Sequence, residues 1–66
     1  MGELIKKLRI EKGLSQKELA TALGLTTSAI GNYELNFREP SLDTLKKLCK
    51  LFDVTADFLL GLTDYY

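Results

Sequence analysis

The sequence predicts an all-α fold of five short helices, and three observations carry that expectation. Apolar residues recur at three- and four-residue spacing through most of the chain, a helical period, and no strand pattern of useful length appears. A hydroxyl residue (Ser15, Thr26, Ser41 or Thr55) stands before four of the apolar stretches, where its side chain can accept a helix N-terminal N–H. Gly13, Gly24, Asn36 and Gly61 follow the stretches, and these residue types close helices in left-handed backbone.

Leu4, Ile5 and Leu8 define a first helix over about residues 2 to 12, ended by Gly13. Ser15-Gln16-Lys17-Glu18 is a capping box, in which the Ser15 hydroxyl accepts the Glu18 N–H and the Glu18 carboxylate reaches back. It starts a second helix that stops at Gly24. Thr26 caps a third helix, with Ile30 and Tyr33 on its inner face, which ends near Leu35. Phe37-Arg38-Glu39-Pro40 is a loop, because Pro40 disfavours helical backbone just before it. Ser41 caps a fourth helix whose inner stripe is Leu42, Leu45, Leu48, Cys49 and Phe52. Thr55 opens a short fifth helix through Phe58 and Leu60, which Gly61 ends, and Phe58 is expected to anchor it in the core. The tail from Leu62 has no evident place in the core; Tyr65 and Tyr66 either extend an interface or fray.

Sixty-six residues allow one domain, with its core over about residues 3–62, and an apolar content of 45% suffices for one core. The single Cys49 excludes an internal disulfide and fits a reducing, cytoplasmic compartment; on the apolar stripe it is expected to be a small buried hydrophobe. No apolar run reaches membrane-spanning length, and MGELIKKLRI carries charges where a signal peptide has its apolar stretch. Net charge is zero but unevenly spread. Residues 1–50 hold all nine Lys and Arg against six acids, a net of +3, and residues 51–66 hold three Asp and no base, a net of −3. There is no His, no metal-ligand cluster, no phosphate-cradling glycine loop and no nucleophile paired with a base. An enzyme, a cofactor and a small-molecule substrate are therefore not expected.

Residues 16–35, QKELATALGLTTSAIGNYEL, join two of these helices by a tight glycine-containing turn. Leu19, Ala20, Leu23, Leu25, Ile30 and Tyr33 are spaced to pack the pair at a steep angle, with uncharged polar residues between them. That is the description of a helix-turn-helix, whose second helix enters the major groove of DNA. The ordered set of LRIEKGLSQKELATALGL, TTSAIGNYE, a loop ending in PS, and LDTLKKLCKLFDVTADFLLG resembles the lambda-repressor-like, Cro/Xre-type helix-turn-helix family of prokaryotic and phage transcription regulators. It spans about residues 3 to 62 and implies a compact five-helix domain that binds operator DNA, usually as a two-fold symmetric dimer.

The resemblance assigns roles residue by residue. Thr27, Ser28 and Asn32 occupy the family's base-contacting positions, and Asn can pair bidentately with adenine. Gln16 corresponds to a phosphate contact, and Thr26 both caps its helix and touches a phosphate; Lys17 beside Gln16 either adds a charge contact or is simply solvated. Asn36 and Arg38 sit where relatives make further phosphate contacts. Arg9 and Glu34 occupy positions that pair between the first and third helices, fixing the recognition helix. Ala56, Leu59, Leu60 and Leu62 correspond to the dimer contact; alternatively these leucines finish the intrachain core.

Several residues depart from the family pattern. The recognition helix has no Arg, Lys or Gln, and Gly31 sits in its middle, either allowing close approach to DNA or simply tolerated. Phe37 stands where relatives often carry Lys, and either faces outward near DNA or folds back over the core. The function implied is a sequence-specific regulator, most often a repressor occupying a pseudo-palindromic operator. Zero net charge keeps open a protein-binding module of the same fold, such as an antitoxin or bridging factor. The ending FLLGLTDY fits either a complete small regulator or the junction after the DNA-binding domain of a longer repressor.

Overall fold

The computed structural model describes residues 1–65, and five helices follow one another along them: α1 (Gly2–Glu11), α2 (Gln16–Leu23), α3 (Thr27–Glu34), α4 (Leu42–Phe52) and α5 (Ala56–Leu59). No strand occurs among the described residues. The fold is all-α.

Capping chemistry decides where the last four helices begin. Ser15 Oγ accepts the Glu18 N–H at 3.0 Å while Glu18 Oε1 accepts the Ser15 N–H at 2.9 Å, completing the capping box of α2. Thr26, Ser41 and Thr55 cap α3, α4 and α5 through the N–H groups of Ala29, Thr44 and Phe58. Each such cap is worth about 1 kcal/mol, which matters for helices of four to eleven residues. Gly24 closes α2 at φ 70°, and the following Leu25 N–H reaches back to the Ala20 carbonyl at 2.8 Å. That closure turns the chain sharply into α3.

Each helix sends one fully buried aliphatic side chain into a common core: Ile5, Leu19, Ile30, Leu48 and Leu59. Leu23, Tyr33, Leu45 and Phe52 surround them. α3 packs against α2 and α1, while α4 bridges α2 and α5. The start of α1 is fastened to the end of α3. Asn36, in left-handed backbone at φ 60°, accepts the Gly2 N–H on Oδ1 at 2.9 Å. A Cβ on Gly2 would lie 2.7 Å from the Glu34 carbonyl oxygen and 2.8 Å from Asn36 Oδ1, so only glycine allows this approach.

The structure corrects three core assignments. Leu42 is 68% exposed and not part of the inner stripe of α4. At about 100° per residue the buried arc of α4 is centred on Thr44, Leu45, Leu48 and Phe52, which leaves Leu42 beyond its edge. Thr44 takes the inner place, its Oγ1 accepting from the Ser41 hydroxyl at 3.1 Å. In α5 the expected roles of two neighbours exchange. Leu59 is fully buried, whereas Phe58 is only half-buried. A single helical turn puts Ala56 and Leu59, three apart, on one face, and here that face meets the core. Leu59 is thus a core residue and not an outward dimer contact.

Candidate nucleic-acid interface

Four residues of α3 face inward: Ala29, Ile30, Tyr33 and Glu34 are buried. With those sides committed, helical geometry turns the remaining positions outward on a single surface. Thr27 and Ser28 are exposed, and Asn32, one turn beyond Ser28, is half-buried beside them. Gly31 lies between, and Leu35, seven residues after Ser28, continues the same surface at 63% exposure. Leu35 was not among the residues singled out from sequence; its two-turn separation from Ser28 was the available signal.

Lys17, Thr26, Asn36 and Arg38 are exposed around this surface. The Thr26 hydroxyl oxygen accepts the Ala29 N–H at 3.2 Å. The loop after α3 is held by the Asn32 carbonyl, which accepts the N–H groups of Phe37 at 2.8 Å and Arg38 at 3.3 Å. Arg38 thereby leaves a fixed backbone. Phe37 is 75% exposed, so it faces solvent and does not fold back over the core.

Behind the surface lies a polar cluster that joins α1, α2 and α3. Arg9 Nε donates to Glu34 Oε2 at 2.6 Å and a second guanidinium nitrogen donates to Glu34 Oε1 at 3.2 Å. A third donates to the Leu14 carbonyl at 2.9 Å. Gln16 Nε2 donates to the same Glu34 Oε1 at 3.0 Å. The pair is almost wholly shielded, with side chains 11% and 4% exposed, and the planar guanidinium fork suits it. Glu34 therefore fixes both the last turn of α3 and the Gln16 side chain at the first turn of α2. In α2 the hydrogen bonds from Ser15 hold the Glu18 carboxyl below its ordinary range. In α4 burial raises the thiol of the half-buried Cys49.

Of the residues assigned to self-association, Ala56 is half-buried, and Leu60 and Leu62 are 47% and 73% exposed. Tyr65 is 82% exposed, and Tyr66 lies outside the described residues. Among the described residues no helix is long and apolar enough to cross a membrane. Among the described residues no group of three His, Cys, Asp or Glu side chains is placed to hold a metal ion.

Known proteins share this arrangement. A family model described as helix-turn-helix matches residues 5–59. The SPbeta prophage-derived uncharacterized HTH-type transcriptional regulator YonR of Bacillus subtilis (strain 168) is 48% identical over 59 residues, covering 89% of this chain and 55% of that protein. The P22 c2 repressor, solved in complex with a synthetic operator, superposes with a TM-score of 0.83 at 29% identity over 88% of both chains. SinR, the master regulator for biofilm formation solved in complex with DNA, gives 0.79 at 38% identity, over 89% of this chain and 95% of that one. The chain spans about half the length of the curated relatives it matches, 55%, 48% and 54% of the first three. A match over this much of the chain, with the α2–turn–α3 geometry intact, makes it a member of the helix-turn-helix family of the Cro/Xre type.

Proposed function

We propose that this chain is a DNA-binding module that recognises a specific double-stranded sequence and regulates transcription, as a repressor that occludes a pseudo-palindromic operator. It does so in the cytoplasm, as one domain, by binding and not by catalysis. The observation that carries the reading is the outward polar surface of α3, small and uncharged, on a helix whose opposite side is locked by the core and by the Arg9–Glu34 pair. Thr27, Ser28 and Asn32 meet base edges, with Asn32 pairing to adenine and the Thr27 methyl meeting a thymine methyl. Lys17, Thr26, Asn36 and Arg38 hold phosphates, together with the N-terminal end of α2 at Gln16. The P22 c2 repressor and SinR were each solved with DNA, which supports the DNA-binding reading.

Two copies act together. The longest dimension of one copy is 28 Å, short of the roughly 34–36 Å between half-sites one DNA turn apart. Leu60 and Leu62, exposed beside α5, supply the apolar contact between copies, with Ala56 at its edge. Selection of bound sequences from a pool of randomised duplexes tests the reading. It predicts a two-fold symmetric consensus. If no sequence is enriched while a partner protein forms a stoichiometric complex, the chain is instead a protein-binding module of the same fold.

A further inference from the structure

Gly31 has no use inside its own chain. The glycines at 13, 24 and 61 hold positive φ, and Gly2 lies against backbone oxygens that leave no room for a Cβ. Gly31 has neither reason: its φ is not positive, and a Cβ built on it meets nothing within 4 Å. It also weakens the helix that carries it, since glycine is the poorest non-proline residue in a helix interior. α3 is only eight residues long and has no basic residue in its last turn to offset that loss.

The open space is on the outward surface. Gly31 follows Thr27 by four residues and Ser28 by three, so two of its neighbours on the helix surface are residues assigned to base contact, and Leu35, four residues on, is a third neighbour. Those residues are short. A helix carrying Ser, Thr and Asn reaches base edges only if its backbone comes nearer the groove floor than one carrying Arg or Gln. A side chain projecting from the middle of the surface would prevent that approach.

We infer that Gly31 is a specificity-determining residue: by presenting bare backbone at the centre of α3, it lets the helix settle deeply enough for Thr27, Ser28 and Asn32 to read bases. This rests on the DNA-binding reading above. The geometry makes stability and recognition respond to Gly31 in opposite directions.

The test is a size series, Gly31→Ala and Gly31→Leu, both good helix formers. It uses thermal unfolding and titration of two duplexes: the consensus selected by the wild type, and a scrambled duplex of equal length. Gly31→Ala is expected to raise Tm by about 4–8 °C. It is also expected to weaken consensus binding by roughly tenfold. Gly31→Leu weakens it further, while binding to the scrambled duplex stays at the wild-type level. Consensus binding as tight as wild type in both variants would overturn the inference and leave the DNA-binding reading standing. A fall in Tm for Gly31→Ala would overturn it as well, because the chain itself would then need the space. A wild type that does not distinguish the two duplexes removes the DNA-binding reading, and this inference with it.

Discussion

Glu34 has the largest structural role of any single side chain in the proposed interface. It accepts two hydrogen bonds from Arg9 and one from Gln16, so one carboxylate ties the first three helices together. With the Glu34 side chain 4% exposed and that of Arg9 11% exposed, losing either member of the ion pair leaves the other a shielded charge without its counterion. Arg9→Ala and Glu34→Ala are each predicted to cost about 3–5 kcal/mol in urea unfolding. That approaches the whole stability of a chain this size, which is on the order of 3–10 kcal/mol. Arg9→Lys is predicted to recover little, because an ammonium cannot span both carboxylate oxygens and the Leu14 carbonyl. Unfolding midpoints at the wild-type value would remove this role. The Arg9 and Glu34 positions were legible through the family pattern. The Gln16 link was not, because it joins residues 18 apart through a geometry that only the packed α2–α3 angle creates.

At the scale of the helix, local chemistry was the readable part. Ser15 with Glu18, Thr26, Gly24 and the left-handed backbone of Asn36 each act within a few residues of themselves, so sequence alone located the ends of α2 and α3. What could not be read was which side of a very short helix meets the core. One turn gives no period to count, and so Leu59 and Phe58 were exchanged. Leu42 misleads for another reason: it stands three residues before Leu45 and so continues the apolar spacing, yet it lies beyond the edge of the arc centred on Thr44, Leu45, Leu48 and Phe52. Two measurements belong here. Leu59→Ala is predicted to destabilise the fold by about 2–5 kcal/mol. Leu62→Ala is predicted to leave monomer stability within about 0.5 kcal/mol of wild type while weakening self-association seen in sedimentation. A Leu62 variant that unfolds, or that associates as wild type, would exclude the proposed dimer contact.

The capping box adds a pH dependence to α2. The folded state holds the Glu18 carboxyl below its unfolded value, so Glu18 contributes stability that is present above the unfolded pKa. That contribution disappears as pH falls through the folded one. Glu18→Gln is therefore predicted to be less stable than wild type at neutral pH and equal to it in strong acid. Parallel stability curves for the two proteins across this range would show that the carboxylate contributes nothing.

The whole molecule presents little charge to a polyanion. Nine basic and nine acidic residues cancel, and the excess of base in residues 1–50 is three. On the proposed DNA-binding reading, affinity comes from fit more than from counterion release, and a shallow dependence on salt is predicted. A rigid α3 is what makes fit available to side chains as short as Ser28 and Asn32. The decisive measurement is the affinity of wild type, Asn32→Ala and Arg38→Ala for every single-base variant of the selected duplex, at several salt concentrations. Discrimination is predicted to collapse at one or two base pairs for Asn32→Ala. Arg38→Ala is predicted to weaken all duplexes alike and to lower the salt slope by about 1. Equal losses from both variants on every duplex would contradict the claim that the outward surface of α3 reads sequence.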